Sequence, residues 1–114
     1  MNIGIIGYGF VGQAVRHGFE KNYLEYGYHH GLLPNRTWIY DKYKKHRTLE
    51  TVVEKSKIIF ICLPTPFYED EMRIDLSICE ETLEEICGRI PEGSGKIIVI
   101  KSTVIPGSTL KWQE

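Results

Sequence analysis

The chain has 114 residues, 42% of them hydrophobic and 25% charged, with a formal net charge of −1 at pH 7. That length is one domain's worth, enough for a hydrophobic core but short for a whole two-substrate enzyme. The balanced charge gives no electrostatic reason to expect nucleic acid or an anionic membrane as partner, and no apolar run approaches the roughly 20 residues that span a bilayer.

Residues 2–6 (NIGII) are short and apolar enough to be a buried parallel strand. Met1 leads straight into it, which leaves no room for a signal or transit peptide, so a cytoplasmic location is expected. The strand breaks into Gly7-Tyr8-Gly9-Phe10-Val11-Gly12, and helical spacing follows. Gly7 permits a sharp turn off the strand, Gly9 has no side chain to hold an anion away from the backbone, and Gly12 lets the helix lie close against the strand. The first N–H groups of such a helix lack partners within it and sit at the positive end of its dipole, so a pyrophosphate is stabilised there without a basic side chain. No Lys or Arg occurs between Met1 and Gln13. Strand, glycine turn and apolar helix, in that order, are what a dinucleotide site requires.

The apolar positions Val11, Ala14, Val15, Gly18 and Phe19, interrupted at Asn22, predict a helix to about Tyr23 or Leu24. Residues 25–36 (EYGYHHGLLPNR) have no period and read as a loop. The pair His29-His30 within it lacks a carboxylate or Cys at ligand spacing, which favours a surface loop over a metal site. Residues 37–40 (TWIY) form a second short strand that ends in Asp41. An acid there accepts hydrogen bonds from the adenosine ribose hydroxyls, and its charge repels a 2′-phosphate. Asp41 lies 29 residues beyond Gly12, against about 20 in the usual fingerprint, and the intervening loop accounts for the excess. A strand-ending Asp is also a common turn residue. The run Lys42, Lys44, Lys45, His46, Arg47 reads as a solvated surface or, alternatively, as a seat for a phosphate of NADP.

A short amphipathic helix is expected over residues 48–57, with Leu49, Val52 and Val53 inward, and a central strand over residues 58–63 (IIFICL). Between Asp41 and Ile58 there is room for one helix and no further strand, so the predicted sheet order is second, first, third, fourth. The ligand crevice then falls where the winding reverses, between the first and third strands. Pro64-Thr65-Pro66 closes the third strand at the same sheet edge. Residues 67–74 are polar and acidic, and Asp75 is a candidate N-cap for a helix whose apolar face is Leu76, Cys79, Leu83, Ile86, Cys87 and Ile90. Cys62, Cys79 and Cys87 are odd in number without a C-x-x-C spacing, and read as small buried apolar side chains. After a turn at residues 91–95, the fourth strand (96–101, KIIVIK) delivers Ser102 and Thr103 to the crevice edge. Ser108 looks like the N-cap of a last helix only six residues long, too short to cover a sheet buried on both faces. The chain therefore reads as an α/β fold of about four parallel strands, truncated after the fourth: a split gene, a trimmed piece, or half of an assembly.

Over nearly all its length the chain resembles the nucleotide-binding half of the UDP-glucose/GDP-mannose dehydrogenase family. The residues that carry this are the Gly7–Gly12 motif, Asp41, Leu63-Pro64-Thr65-Pro66 followed by Ile74-Asp75-Leu76-Ser77, and Ile100-Lys101-Ser102-Thr103-Val104-Ile105-Pro106-Gly107. The resemblance implies a Rossmann-like doubly wound sheet and NAD as cofactor. It implies further that Thr65 and Thr103 line the nicotinamide side, with the loop from Ser102 to Gly107 closing under the cofactor. The candidate cofactor-binding residues are thus Gly7, Gly9, Phe10, Val11 and Gly12 in the turn, Asp41, Pro64 and Thr65, and Ser102 and Thr103. Members of the family oxidise the primary alcohol of a nucleotide sugar to a carboxylate with NAD as acceptor, using a Cys nucleophile with Lys, Asn and Glu. Those motifs would lie beyond Glu114, so no catalytic and no metal-ligating residue is assigned. The expected function is that of a single NAD-binding domain, inactive alone, which meets a nucleotide sugar only when a C-terminal half is supplied, and whose truncated edge a second copy or a partner chain could cover. The alternatives are a self-standing dinucleotide-binding or partner-docking module and a remnant that keeps the fold without a ligand.

Overall fold

A computed structural model describes residues 1–26, 36–104 and 106–113. The expected loop centre at 27–35, with His29 and His30, lies outside these described residues, as does Ile105. The elements in chain order are β1 (Asn2–Ile6), α1 (Phe10–Tyr26), β2 (Arg36–Tyr40), α2 (Leu49–Lys55), β3 (Ile58–Ile61), β4 (Phe67–Tyr68), β5 (Arg73–Ile74), α3 (Ser77–Arg89), β6 (Ile97–Ile100) and α4 (Ser108–Gln113).

Four strands form one sheet in the order β2-β1-β3-β6, all parallel, which is the predicted doubly wound order. A central parallel strand must be apolar on both faces, and β1 meets this with Ile3, Ile5 and Ile6 at 1% exposure or less. Register then assigns the faces. Ile6 lies beside Tyr40 and Ile61, and Gly4 beside Trp38 and Ile59. This face packs on α2 and α3 through Leu49, Val52, Val53, Cys79, Leu83 and Ile86. The opposite face, with Ile5 beside Ile39 and Phe60, receives α1, whose Phe19 ring stands 5.4 Å from that of Phe60.

Several boundaries differ from expectation for identifiable reasons. Helix α1 begins inside the glycine motif, because Gly9 already offers its carbonyl to the N–H of Gln13 at 3.0 Å, and it runs on to Tyr26. Its apolar stripe is only half covered: Val15 and Phe19 are partly buried, but Val11 is 45% exposed. The polar stretch 67–74 folds back as an antiparallel hairpin, with Phe67 opposite Ile74 and Met72 at φ 49 in the turn. Strands of two residues are too short to display alternation, so periodicity could not mark them. The N-cap of α3 is Leu76 rather than Asp75; Asp75 stands one residue further out, where it accepts the N–H of Ser77 at 2.9 Å and the hydroxyl of Tyr68 at 3.2 Å. Ser108 is the first residue of α4 and not its cap. Cys87 is exposed and Cys62 only partly buried; Cys79 alone of the three is buried as expected. Among the described residues, no helix is long and apolar enough to cross a membrane.

The two ends of α2 are closed differently. At its start the Thr48 hydroxyl accepts the N–H of Thr51. At its end the ammonium of Lys96, from the strand side of the fold, donates to the carbonyls of Val53 (2.7 Å), Glu54 (3.0 Å) and Ser56 (2.7 Å). These are among the carbonyls that a helix leaves without intrahelical donors, at the negative end of its dipole. Lys96→Met should therefore lower stability by about 2 kcal/mol, read as a lower urea midpoint at unchanged slope. An unchanged midpoint would mean that water serves these carbonyls equally well.

Candidate functional site

At the carboxyl end of β1 the three glycines of the turn differ in what holds them there. Gly7 has φ 95, a conformation that L side chains rarely adopt, and a Cβ on it would stand 2.5 Å from the carbonyl oxygen of Cys62. A Cβ on Gly12 would stand 2.1 Å from the carbonyl oxygen of Gly7 and 3.4 Å from Ile5. Packing thus requires both of these glycines. Gly9 is different: a Cβ there would meet no atom of the described residues within 4 Å, and its φ is not positive. The space in front of Gly9 lies open, at the first turn of α1.

The turn is held from the β2 side. The N–H of Gly7 donates to the carbonyl of Tyr40 at 2.8 Å. Asp41 accepts the N–H of Tyr8 through one carboxylate oxygen at 2.7 Å, and that of Tyr43 through the other at 2.8 Å. The ammonium of Lys44 donates to the carbonyl of Tyr8 at 2.5 Å. Both backbone groups of Tyr8 are therefore gripped by side chains that follow β2. Partial burial alone would raise the Asp41 pKa, but the N–H groups of Tyr8 and Tyr43 and the charge of Lys44 outweigh it and hold the carboxyl below its ordinary value. The Tyr8 side chain is fixed as well: its hydroxyl accepts from Arg16 at 3.0 Å, and its ring meets that of His46 edge-on at 5.0 Å. Arg16 donates in turn to Glu20, which also accepts the hydroxyl of Thr37, so α1 is tied to β2.

These elements surround a cleft of about 490 Å³, well within the range of small-molecule sites. Gly7, Gly9, Phe10 and Val11 line it from the turn, residues 40–44 from the end of β2, Cys62, Leu63 and Pro64 from the end of β3, and Ile78 and Thr82 from α3. It lies at the carboxyl ends of the strands, where the winding reverses. Of the residues expected at the site, Gly7, Gly9, Phe10, Val11, Asp41 and Pro64 are brought together in its wall. Gly12 lies beneath the turn, and Thr65, Ser102 and Thr103 are not among the lining residues. Ser102 secures the wall from behind: its hydroxyl accepts the N–H of Leu63 at 2.9 Å and donates to the carbonyl of Leu63 at 2.8 Å. Thr65 is partly buried and Thr103 exposed at the same edge.

Sequence reasoning did not place Tyr40, Tyr43, Cys62, Leu63, Ile78 and Thr82 at the site. The spacing of Ile78 and Thr82, one helical turn apart at the start of α3, was a signal that the first turns of that helix share a face toward the crevice. Chemically, the cleft offers free helix N–H groups over an open glycine, a carboxylate held ionised beside them, and an apolar wall from Val11, Pro64 and Ile78. These are the features that a dinucleotide needs. Cys62 does not add a nucleophile, because burial pushes its thiol up to about 11 against a smaller opposing effect of Lys101.

The profile of the UDP-glucose/GDP-mannose dehydrogenase family, NAD binding domain, matches residues 34–114. The UDP-N-acetyl-D-mannosamine dehydrogenase of Methanocaldococcus jannaschii is 35% identical over 63 residues, which are 54% of this chain and 14% of that protein. Among solved structures, a ternary complex of GDP-mannose dehydrogenase from Pseudomonas aeruginosa aligns with 96% of this chain and 30% of its own, at a TM-score of 0.64 and 23% identity. An imine reductase from Bacillus cereus aligns with 97% of this chain and 36% of its own, at 0.61 and 17%. At such identities both structures speak for the fold alone. The chain spans well under half the length of each of these proteins.

With a pKa of about 11, roughly one Cys62 in a thousand is thiolate at pH 8. Iodoacetamide at pH 8 should therefore modify exposed Cys87 first, with the Cys62 rate rising about tenfold per pH unit toward pH 10. Cys62 reacting as fast as Cys87 at pH 8 would reveal an activated thiol in the cleft wall.

Proposed function

The chain belongs to the UDP-glucose/GDP-mannose dehydrogenase family through its NAD binding domain, and from this premise we propose that residues 1–114 form one domain whose cleft holds NAD for a nucleotide-sugar dehydrogenase. The observation that carries the placement of the cofactor is Gly9. The family match begins at residue 34, so support for the glycine turn comes from geometry: packing accounts for Gly7 and Gly12 and leaves Gly9 facing open space. A glycine that its own protein does not require is explained by an outside group that must come close to the backbone.

In this reading the N–H groups at the start of α1 hold the pyrophosphate, Asp41 takes the adenosine ribose, and Phe10, Val11 and Pro64 flank the cofactor, with Thr65, Ser102 and Thr103 toward its nicotinamide end. Bound NAD supplies the hydride acceptor, and the residues of this chain bind and orient it. Among the described residues that line the cleft, neither Asp41 nor Cys62 is free to take the proton of a sugar hydroxyl or to capture an aldehyde. Asp41 is ionised and committed to two backbone N–H groups, and Cys62 is a neutral thiol. Oxidation of a nucleotide sugar by this chain accordingly waits on residues from elsewhere. The edge strand β6 is a natural place for their attachment, or for a second copy, since Ile97 on it is 53% exposed. The same lack of a base and nucleophile in the cleft favours, as a second reading, a dinucleotide-binding module that never catalyses. Restoration of nucleotide-sugar oxidation by an added C-terminal half would separate the two.

Calorimetric titration tests the site. NADH should bind weakly, with a Kd of roughly tens of micromolar or poorer, because later elements supply part of the crevice wall in a complete enzyme. Gly9→Val should remove the binding while melting within about 2 °C of the parent, since a Cβ at this position meets no atom of the described residues within 4 Å. Binding retained by a folded Gly9→Val protein would take the glycine turn out of the site. NADH formation from NAD and UDP-glucose or GDP-mannose by the purified chain, absent from Gly9→Val, would overturn the claim that it is inactive alone.

A further inference from the structure

Strand β3 leaves the sheet after Cys62, whose N–H still makes a ladder bond toward β1, to the carbonyl of Ile6 at 2.8 Å. Beyond that point the neighbours on both sides have ended, β1 at the glycine turn and β6 at Ile100. The N–H and carbonyl of Leu63 therefore have no strand to pair with, and a part-buried backbone group without a partner is costly. Among the described residues one side chain serves both. The Ser102 hydroxyl accepts the N–H of Leu63 at 2.9 Å and donates to its carbonyl at 2.8 Å. The carbonyl of Ile61 lies further from that hydroxyl, at 3.3 Å, and already accepts the N–H groups of Lys101 and Ser102 at 2.8 and 3.2 Å. The single hydroxyl proton is thus better placed on Leu63. What this bracket fixes is a stiff strip. Pro64 and Pro66 have no N–H and a fixed φ, and each restricts the residue before it to extended conformations, so Leu63-Pro64-Thr65-Pro66 has little freedom of its own. Its far end is tied where the carbonyl of Pro66 accepts the N–H of Asp75 at 2.7 Å, and its near end is tied by Ser102. Leu63 and Pro64 line the cleft, whereas Ser102 does not.

We infer that Ser102 is a positioning residue for the nicotinamide half of the dinucleotide, acting through Leu63 and not by contact with the cofactor. The inference rests on the proposed dinucleotide site and deepens it. In the sheet order β2-β1-β3-β6, Asp41 stands at the end of β2 and the glycine turn at the end of β1. A dinucleotide with its adenosine at the first and its pyrophosphate at the second extends its other half over the end of β3. The wall it meets there is the strip whose backbone Ser102 holds. With the hydroxyl removed, the N–H and carbonyl of Leu63 turn to water, the strip keeps one tie of two, and ordering it falls to the ligand.

Calorimetric titrations of the 114-residue chain with NADH and with ADP-ribose, which keeps the adenosine and the pyrophosphate but lacks the nicotinamide, read the two halves of the cleft separately. NADH should bind at least about fivefold more tightly than ADP-ribose. Ser102→Ala should bring the two Kd values within about twofold of each other while changing that of ADP-ribose by less than about twofold. Ser102→Thr, which restores the hydroxyl, should keep the ratio of the parent. If the Ala variant does not fold, Ser102→Cys takes its place, since a thiol is a weak donor and a weak acceptor at similar size. An equal loss of both ligands in a folded variant would mean a merely structural role, and an unchanged ratio would mean that Leu63 needs no such tie. Either result overturns the inference and leaves the NAD site standing, as does a parent that binds the two ligands equally well. Failure of both to bind the parent removes the site and the inference together.

Discussion

The carbonyl oxygen of Gly7 occupies the place where a side chain on residue 12 would begin, 2.1 Å from the nearest possible Cβ. No rotamer or small backbone shift relieves a contact of that kind, since both sides of it are main chain. The first turn of α1 can therefore rest on the end of β1 only if residue 12 has no side chain. The depth of the cleft, the direction of the free N–H groups and the reach of Asp41 to Tyr8 all depend on that approach. The turn is in this sense a packing device first, and its capacity to receive an anion is a result of the geometry it imposes.

What surrounds the turn keeps it from relaxing. Asp41 and Lys44 grip the two backbone groups of Tyr8, and Arg16 with Glu20 anchors its side chain to the helix and to β2. Strong hydrogen bonds to charged groups are worth more than neutral ones, and here they are spent on one residue of a loop that, in many folds, would be held by ligand alone. The turn at the mouth of the cleft is thus fixed by the protein's own hydrogen bonds. A ligand received at a turn held in this way loses less conformational entropy in ordering it.

Much of this was legible in the sequence, and for physical reasons. Buried parallel strands are apolar on both faces, so Asn2–Ile6 and Ile58–Ile61 stood out, and the short spacer between Asp41 and Ile58 forced the sheet order. The glycines at 7 and 12 declared their roles because steric exclusion leaves no substitute. Less legible were the features that depend on distant partners. Lys44 looks like a member of any basic surface run until the fold sets its ammonium on the carbonyl of Tyr8. Cys87 fits an apolar helical stripe, but it stands on the flank of α3 toward the exposed edge of β6 rather than beneath the sheet. Ser102 was expected to face the cleft because it ends the fourth strand; instead its hydroxyl is drawn to both backbone groups of Leu63. Two-residue strands such as β4 and β5 carry too little pattern for any period to show.

The place of β1 in the sheet has a consequence for how the chain reaches its structure. The strand that sits in the middle is the first to be synthesised, and its neighbours come late: Ile3 pairs with Thr37 on one side and Ile58 on the other, separations of 34 and 55 residues. β3 in turn waits 39 residues, from Ile58 to Ile97, for its own outer neighbour. No strand of the main sheet is completed by a hairpin, so loop-closure entropy is lost before any ladder forms, and folding is slow for a chain of this size. At about 5–20 residues per second, β1 emerges roughly 3–11 s before the strand that flanks it toward β6. During that interval a segment whose three isoleucines end almost wholly buried displays two unpaired edges to solvent. The steps most exposed to chaperone capture or to aggregation are therefore set by the central strand, and they precede the existence of the cleft.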